Sequence, residues 1–150
     1  MYLLDTNHIS RLRQDDQRLQ LRIADATQPI AISVIVRGEL RFMVEHSIER
    51  ERNQQRLETV LANIPIIPID EDVADWYGDL KTALFRRFGH KDPAKRRKAT
   101  LASLGVSDND LWIAATAKRQ GAIIVSGDTD FKRIAEVTDL QIETWITSPT

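Results

Sequence analysis

The stretch Ala122-Ile123-Ile124-Val125-Ser126 is the clearest strand signal in this sequence. It is short, rich in β-branched residues and bounded by glycines at positions 121 and 127. Apolar residues at helical spacing precede it, and Ser107 with an acid three residues later has the form of a capping box. We therefore predict a helix that begins near Ser107 and ends at Gly121, followed directly by a buried strand.

Strand and helix signals alternate in the same way through the rest of the chain. Further strands are predicted at residues 2–4, 29–33, 65–69 and 141–145. Helices are predicted after Asp5, over residues 34–46, before Pro65 and after Asp70. This alternation is typical of an α/β domain with a mainly parallel sheet. A length of 150 residues, without an internal repeat or a linker, indicates one domain over residues 1–150.

The composition excludes several classes of protein. The chain has no cysteine, which excludes disulfides, thiolate zinc sites and cysteine nucleophiles. The N-terminus has no basic leader and no apolar stretch long enough for a signal peptide. No run of about 18 apolar residues occurs anywhere, so no membrane span is predicted. We therefore expect a cytoplasmic protein.

Charge is unevenly distributed along the chain. The formal net charge is −1, whereas residues 86–98 carry seven lysines and arginines against a single acid, Asp92. An acidic body with one basic arm can hold a phosphate backbone beside an acidic metal site. A solvated helix face explains this composition equally well.

Four acids fall where a ligand site is expected, because ligands of open parallel sheets bind beyond the carboxyl ends of the strands. Asp5 ends the first strand, and Asp128 follows the strand at residues 122–126. Asp110 lies in the first turn of a helix, and Glu39 lies on an otherwise apolar helix face with positions 35, 42 and 43. Each acid also has a structural interpretation, as a turn residue, a capping acid or the partner of a nearby arginine.

Considered together, the acids favour a metal site. Carboxylates gathered at one sheet edge repel one another by about 4 kcal/mol per pair at 4 Å, so we expect a compensating cation. Oxygen ligands favour Mg²⁺ or Mn²⁺ over zinc. The histidines at positions 8, 46 and 90 show no metal-ligand spacing and receive no role. A hard dication beside a basic arm indicates phosphodiester chemistry, in which the metal activates a water.

Four segments resemble the motifs of the PIN-domain nucleases, and among them the VapC-like toxins of bacterial toxin–antitoxin pairs. Residues 2–7 resemble the opening strand of that family with its first catalytic acid, Asp5. Residues 33–40 resemble the segment of the second acid, Glu39. Residues 109–115 are similar to the third motif and place its acid at Asp110, and residues 125–131 are similar to the fourth, with Asp128.

The resemblance implies a three-layer α/β/α sandwich, a Mg²⁺- or Mn²⁺-dependent endoribonuclease, a homodimer and a cognate antitoxin. In that family the acids hold the metal, and metal-activated water attacks the RNA phosphate in line. Thr6 or Asn7, together with Ser33, would be polar supports around the site. Asp108 and Asp130, beside the third and fourth acids, are further candidate metal ligands.

One segment departs from the pattern of the family. Residues from about 89 to 104 resemble an insertion, because the family's usual connection to the third motif is shorter. The resemblance therefore assigns no role to its basic residues. We hypothesise that Arg96, Arg97 and Lys98 bind RNA, since phosphate contacts supply most sequence-independent affinity.

Two other functions remain open at this point. Haloacid-dehalogenase-like phosphatases also begin with a strand that ends in an aspartate, and they carry an acidic motif similar to residues 127–130. They place a second aspartate two residues after the first, where this chain has Asn7, and they leave Glu39 unexplained. The other alternative is a catalytically inactive PIN-like binding module, although all four acidic positions are filled.

Overall fold

The computed structural model describes residues 1–146, which form a five-stranded sheet flanked by helices. The strands are β1 Tyr2–Leu4, β2 Ile30–Ser33, β3 Ile66–Ile67, β4 Ile123–Val125 and β5 Ile142–Glu143. The helices are α1 Thr6–Arg13, α2 Gln17–Ala24, α3 Val34–Glu45, α4 Arg50–Leu61, α5 Glu71–Phe88, α6 Pro93–Lys98, α7 Asp108–Gln120 and α8 Thr129–Ala135. A short 3-10 turn covers Ala102–Leu104.

All neighbouring strands are parallel, and their order across the sheet is β3-β2-β1-β4-β5. The predicted α/β fold with a mainly parallel sheet is therefore confirmed. The order reverses at β1, whose Leu4 is in register with Val125 of β4. The carboxyl ends of β1 and β4 thus meet at the topological switch point, where open α/β sheets bind their ligands.

The strands are buried and short. Leu3 and Leu4 of β1 and Ile124 and Val125 of β4 are completely inaccessible to solvent, as expected for a parallel sheet covered on both faces. Strand β3 is shorter than the predicted residues 65–69, because the prolines on either side of it lack the N–H that a sheet hydrogen bond requires.

Side chains at the ends of three strands begin the helices that follow. Asp5, Ser33 and Asp128 are the N-caps of α1, α3 and α8, each accepting a hydrogen bond from a backbone N–H of the first turn. The serine half of the capping box predicted at Ser107 is also formed, because Ser107 Oγ accepts from the amide of Asp110 at 3.1 Å. This capping fixes where each acid leaves its strand or enters its helix.

One local prediction differs from the structure. The single helix expected after β1 is divided into α1 and α2, because Asp15 adopts a left-handed conformation with φ 60° and Asp16 caps a second helix. The basic segment, expected as an insertion from about residue 89, contains α6 and the 3-10 turn. None of the helices described within residues 1–146 is long and apolar enough to cross a membrane.

Candidate active site

A cleft of about 740 Å³ lies at the carboxyl ends of β1 and β4. Its lining includes all four acids predicted from the sequence, namely Asp5, Glu39, Asp110 and Asp128. They reach it from four separate places in the chain: the end of β1, the middle of α3, the first turn of α7 and the cap of α8. The fold thus brings together residues that are far apart in the sequence.

Asp5 is buried, with 4% of its surface exposed, and it is held by three donors. Its Oδ1 accepts from the backbone N–H of His8 at 2.9 Å and from His8 Nδ1 at 2.6 Å. Its Oδ2 accepts from the hydroxyl of Ser126, at the end of β4. A carboxylate has about four lone-pair positions, so Asp5 retains one, on Oδ2, with which to bind a cation or a water.

His8 is a buried partner of Asp5 that was not predicted from the sequence, where no histidine received a role. The side chain is 1% exposed, and its Nδ1 carries the proton if it donates to Asp5, which leaves Nε2 without a partner among the described residues. The signal that could have found it is its spacing, because residues three apart on the first turn of a helix face each other.

Glu39 is held by one donor from each side of the cleft. Its Oε2 accepts from the hydroxyl of Thr6 in α1, and its Oε1 accepts from Asn109 Nδ2 in α7 at 2.7 Å. Thr6 is one of the polar supports implied by the family resemblance, whereas Asn109 was not singled out as a support. Neither partner is an arginine, so Glu39 remains an uncompensated acid.

Two of the apolar residues beside Glu39 on α3 lie outside the core. Phe42 is 64% exposed and Met43 is 40% exposed, and both line the cleft. The buried stripe of α3 lies one residue further along, at Val36, Leu40 and Val44. The acids therefore stand beside an exposed apolar wall.

Three carboxylates form the tightest acidic cluster among the described residues. Oxygen atoms of Asp110, Asp128 and Asp130 all lie within 4.8 Å of one another. The backbone N–H of Ser107 donates to Asp130 Oδ2 at 2.8 Å, and that of Asp130 donates to Asp128 Oδ1 at 3.0 Å. These bonds tie the start of α7 to the start of α8 and keep the carboxylates together.

Burial and the negative charge of this cluster raise the pKa of Asp110. Burial, together with the charges of Asp128 and Asp130, raises the pKa of Asp110 from 3.8 to about 7, although a hydrogen bond from Ser107 opposes the shift. A divalent cation would offset this charge by replacing the proton on Asp110. An all-carboxylate donor set suits a hard dication, so these residues fit such an ion.

The comparison with known proteins agrees with this geometry. Residues 2–137 match the model of the PIN domain. The chain belongs to the PIN domain family. The predicted resemblance to the PIN-domain nucleases is therefore confirmed, and PIN-domain nucleases use divalent metal ions, consistent with the acidic cluster.

Relatives of this PIN domain match over almost their whole length. The chain is 30% identical over 149 residues to Ribonuclease VapC2 of Rickettsia felis, covering 97% of this chain and 98% of the relative. It is 26% identical over 146 residues to Ribonuclease VapC2 of Haemophilus influenzae, covering 97% and 98%.

Solved structures of similar PIN proteins share the fold. The crystal structure of VapBC2 from Rickettsia felis bound to a promoter DNA fragment matches with a TM-score of 0.75 at 28% identity, covering 97% of this chain and 98% of that one. DNA-bound VapBC from Salmonella typhimurium matches with a TM-score of 0.76 at 24% identity and the same coverage, which shows the fold alone.

The other predicted residues of the PIN domain occupy different positions relative to the cleft. Asn7 is exposed and lines it. Ser33 is fully buried, where its Oγ accepts from the amide of Ile35 at 3.2 Å and lies 3.5 Å from Thr116 Oγ1. Asp108 is exposed and accepts from the hydroxyl of Tyr77.

The three basic residues predicted to bind RNA lie on α6 and do not line the acidic cleft. All are exposed. Arg97 and Lys98 form no ion pair within 4.0 Å among the described residues. Arg96 donates to two backbone carbonyls, those of His90 and Lys91, at 3.0 Å each.

Proposed function

We propose that this PIN-domain protein is an endoribonuclease toxin that hydrolyses RNA phosphodiester bonds with Mg²⁺ or Mn²⁺. The observation that carries the proposal is the convergence of Asp5, Glu39, Asp110 and Asp128 on one cleft at the switch point of the sheet. The names of the relatives, which are ribonucleases, support the choice of RNA as substrate. Cellular RNA as substrate makes the cytoplasm the expected location.

The residues that would hold the ion are Asp110 and Asp128, which line the cleft together with Asp5 and Glu39. Asp130 would join them, because its carboxylate lies within 4.8 Å of those of Asp110 and Asp128, although it is not part of the lining. A bound divalent ion supplies Lewis acidity, which lowers the pKa of a water molecule and offsets negative charge on the phosphate. Asp108 is not included, because its carboxylate accepts from the hydroxyl of Tyr77 and is not part of the cluster of Asp110, Asp128 and Asp130.

The remaining chemistry belongs to the side chains of the protein. His8 and Ser126 hold Asp5 so that its free lone pair stays fixed, and Thr6 and Asn109 hold Glu39. Such donors pre-orient the carboxylates, which lowers the cost of gathering them around substrate. A water that loses its proton can pass it to one of these acids, and no covalent enzyme intermediate is required.

We propose that a cognate antitoxin neutralises the enzyme by covering this cleft. A cation such as an arginine of the antitoxin would pair with the clustered carboxylates, and apolar side chains would contact the exposed wall formed by Phe42 and Met43. The solved VapBC neighbours, which are complexes, support the existence of a partner. A complex in which all four acids remain open to solvent would contradict this proposal.

A homodimer is also part of the proposal, on the strength of the family resemblance. Its test is the mass of the antitoxin-free protein in solution, measured by light scattering at micromolar concentration. A mass of two chains is expected, and a mass of one chain would count against the dimer.

The proposed activity is tested by cleavage of total cellular RNA by protein purified free of antitoxin. The assay compares Mg²⁺, Mn²⁺ and chelator, and it includes Asp5→Asn and Asp110→Asn beside the exposed control Asp75→Asn. We expect cleavage that requires metal, disappears in the two cleft variants and persists in the control. RNA binding without cleavage under any condition would instead indicate an inactive binding module, and release of phosphate from small phosphoesters would indicate a phosphatase.

A further inference from the structure

A second concave surface lies between the C-terminal half of α5 and the segment that leads into α6. This basic groove has a volume of about 560 Å³. Its lining includes Lys81, Phe85, Arg86, Gly89, Lys91 and Arg96. Four of these residues are lysines or arginines and none is an acid, in a chain whose formal net charge is −1. The groove is therefore a concentrated positive surface on an acidic protein.

The cations of the basic groove are largely uncompensated. Among the described residues, Arg86 and Lys91 have no acidic partner within 4.0 Å, and both are exposed. Lys81 lies 3.9 Å from Asp108 at one edge. Cations held close together without counter-charges repel one another, and an anionic occupant removes that repulsion.

The shape of the basic groove is set by the backbone rather than by mobile side chains. Gly89 ends α5, and a Cβ atom at this position would lie 2.3 Å from the carbonyl oxygen of Phe85. Because glycine has no Cβ, the chain can turn at Gly89, and Lys91 then lines the groove together with residues of α5. Arg96 holds this turn in place by donating to the carbonyls of His90 and Lys91 at 3.0 Å each. The wall is thus formed before any ligand binds.

One end of the basic groove is connected to the acidic cleft. Lys81 donates to the hydroxyl of Tyr77 at 3.0 Å, and Tyr77 donates to Asp108. This hydrogen bond from Lys81 raises the pKa of its ammonium group, which stays charged. Asp108 is followed by Asn109, which donates to Glu39 in the cleft. These contacts place Lys81, at one edge of the groove, beside the start of α7, whose Asn109 and Asp110 line the cleft.

We propose that the basic groove binds the phosphate backbone of the RNA strand next to the bond that is cut. The inference rests on the proposed function, and it assigns the contacts to Lys81, Arg86 and Lys91, with Arg96 as the brace of the wall. Exposed guanidinium and ammonium groups bind phosphate oxygens, and the half-buried ring of Phe85 gives a ribose or base an apolar surface. Because phosphates carry no sequence information, the groove adds affinity without base specificity.

The binding test uses a fluorescently labelled single-stranded RNA and antitoxin-free protein in chelator, where no cleavage occurs. The groove variant is Arg86→Ala with Lys91→Ala. The control that matches its charge is Arg18→Ala with Arg56→Ala, two exposed arginines outside both the groove and the cleft. Lys95→Ala with Lys98→Ala tests the outer side of α6, which does not line the groove.

We expect the groove variant to bind RNA about tenfold more weakly at near-physiological salt, and the slope of log affinity against log salt to fall by about 1.4 for two lost contacts. The control should change affinity less than twofold. The α6 variant should do the same, and this result would replace the sequence-based hypothesis that Lys98 binds RNA. In cleavage, the groove variant should raise KM for a long RNA and leave kcat unchanged, while a short RNA that fills only the cleft is cut as well as by the unmodified protein.

Each contrary result has a distinct meaning. Equal RNA binding by the groove and control variants, with metal-dependent cleavage intact, would overturn the groove proposal and leave the proposed function standing. The groove variant could instead bind RNA normally but lose affinity for the antitoxin, or its complex with the antitoxin could lose affinity for duplex DNA. Either result would overturn the groove proposal and assign the groove to contacts with the antitoxin or with DNA. Absence of cleavage by the unmodified protein would instead count against the proposed function.

Discussion

Replacing Asp110 with asparagine should make the metal-free protein more stable while abolishing its activity. Burial and the charges of Asp128 and Asp130 raise the pKa of Asp110 from 3.8 to about 7. A pKa shift of that size corresponds to a loss of at most about 4 kcal/mol of folding stability when Asp110 is ionised. Solvent reaches this partly exposed carboxyl and screens its charge. We therefore expect the asparagine variant to be more stable by about 1–2 kcal/mol.

The dependence on pH follows from the direction of the shift. The folded state binds the proton of Asp110 more tightly than the unfolded state does, so its stabilising contribution is fully present below about pH 4 and is lost as the pH rises to about 7. In chelator, the unmodified protein should therefore lose about 1–2 kcal/mol of stability relative to Asp110→Asn between pH 4 and pH 8.

The assay is urea unfolding of both proteins across this pH range, in chelator and then in Mg²⁺, with Asp75→Asn as the exposed control. Magnesium should stabilise the unmodified protein at pH 8 and have little effect on Asp110→Asn, because the ion binds the folded state through this cluster. A difference between the two proteins that does not vary with pH, or a variant that is less stable at pH 8, would refute the reasoning.

Three further predictions concern the supports of the site and the fold. His8→Ala should lower kcat about tenfold and weaken Mn²⁺ binding measured by calorimetry. His8→Asn, whose amide can replace the Nδ1 donor, should retain most of the activity and of the Mn²⁺ affinity. Equal defects in the two variants would make His8 a packing residue only. Asn109→Ala should lower kcat with little change in unfolding free energy, since its exposed side chain contacts Glu39, and unchanged kinetics would contradict that role. Gly89→Ala should destabilise the protein by about 1–3 kcal/mol in urea unfolding, because its Cβ would meet the carbonyl of Phe85. The control Gly78→Ala, with open space around it, should be neutral or stabilising. Equal effects of the two substitutions would show that the turn at Gly89 is not tight.

The positions of the acids could be predicted because each follows from local sequence. Asp5 and Asp128 end strands in a parallel sheet, and strand ends converge at one edge. The fold class could be predicted for the same reason, since the order of strand and helix signals determines a parallel sheet. Glu39 and Asp110 were singled out from their positions on predicted helices, and the motif resemblance then gave all four acids one role.

The supports of the acids could not be predicted because they depend on contacts between distant parts of the chain. Ser126 meets Asp5 only when β4 lies beside β1, and Asn109 meets Glu39 only when α7 lies beside α3. His8 is an exception, because it lies three residues after Asp5 and its position was available from helical spacing.

Which apolar stripe of α3 is buried could not be predicted from the sequence, for a physical reason. The helix carries two apolar stripes, one at positions 35, 42 and 43 and one at positions 36, 40 and 44. Periodicity identifies both stripes, but only packing against the sheet and α4 decides which one is buried. The exposed stripe that remains is the wall of the cleft.

The most direct test of the proposed site is an anomalous difference map from crystals of the antitoxin-free protein soaked in Mn²⁺. We predict a peak bound by carboxylate oxygens of Asp110 and Asp128 within the acidic cleft, absent from crystals of Asp110→Asn. A map without a manganese peak at this cluster, or one with its peak elsewhere while RNA cleavage still requires the metal, would contradict the assignment of the active site.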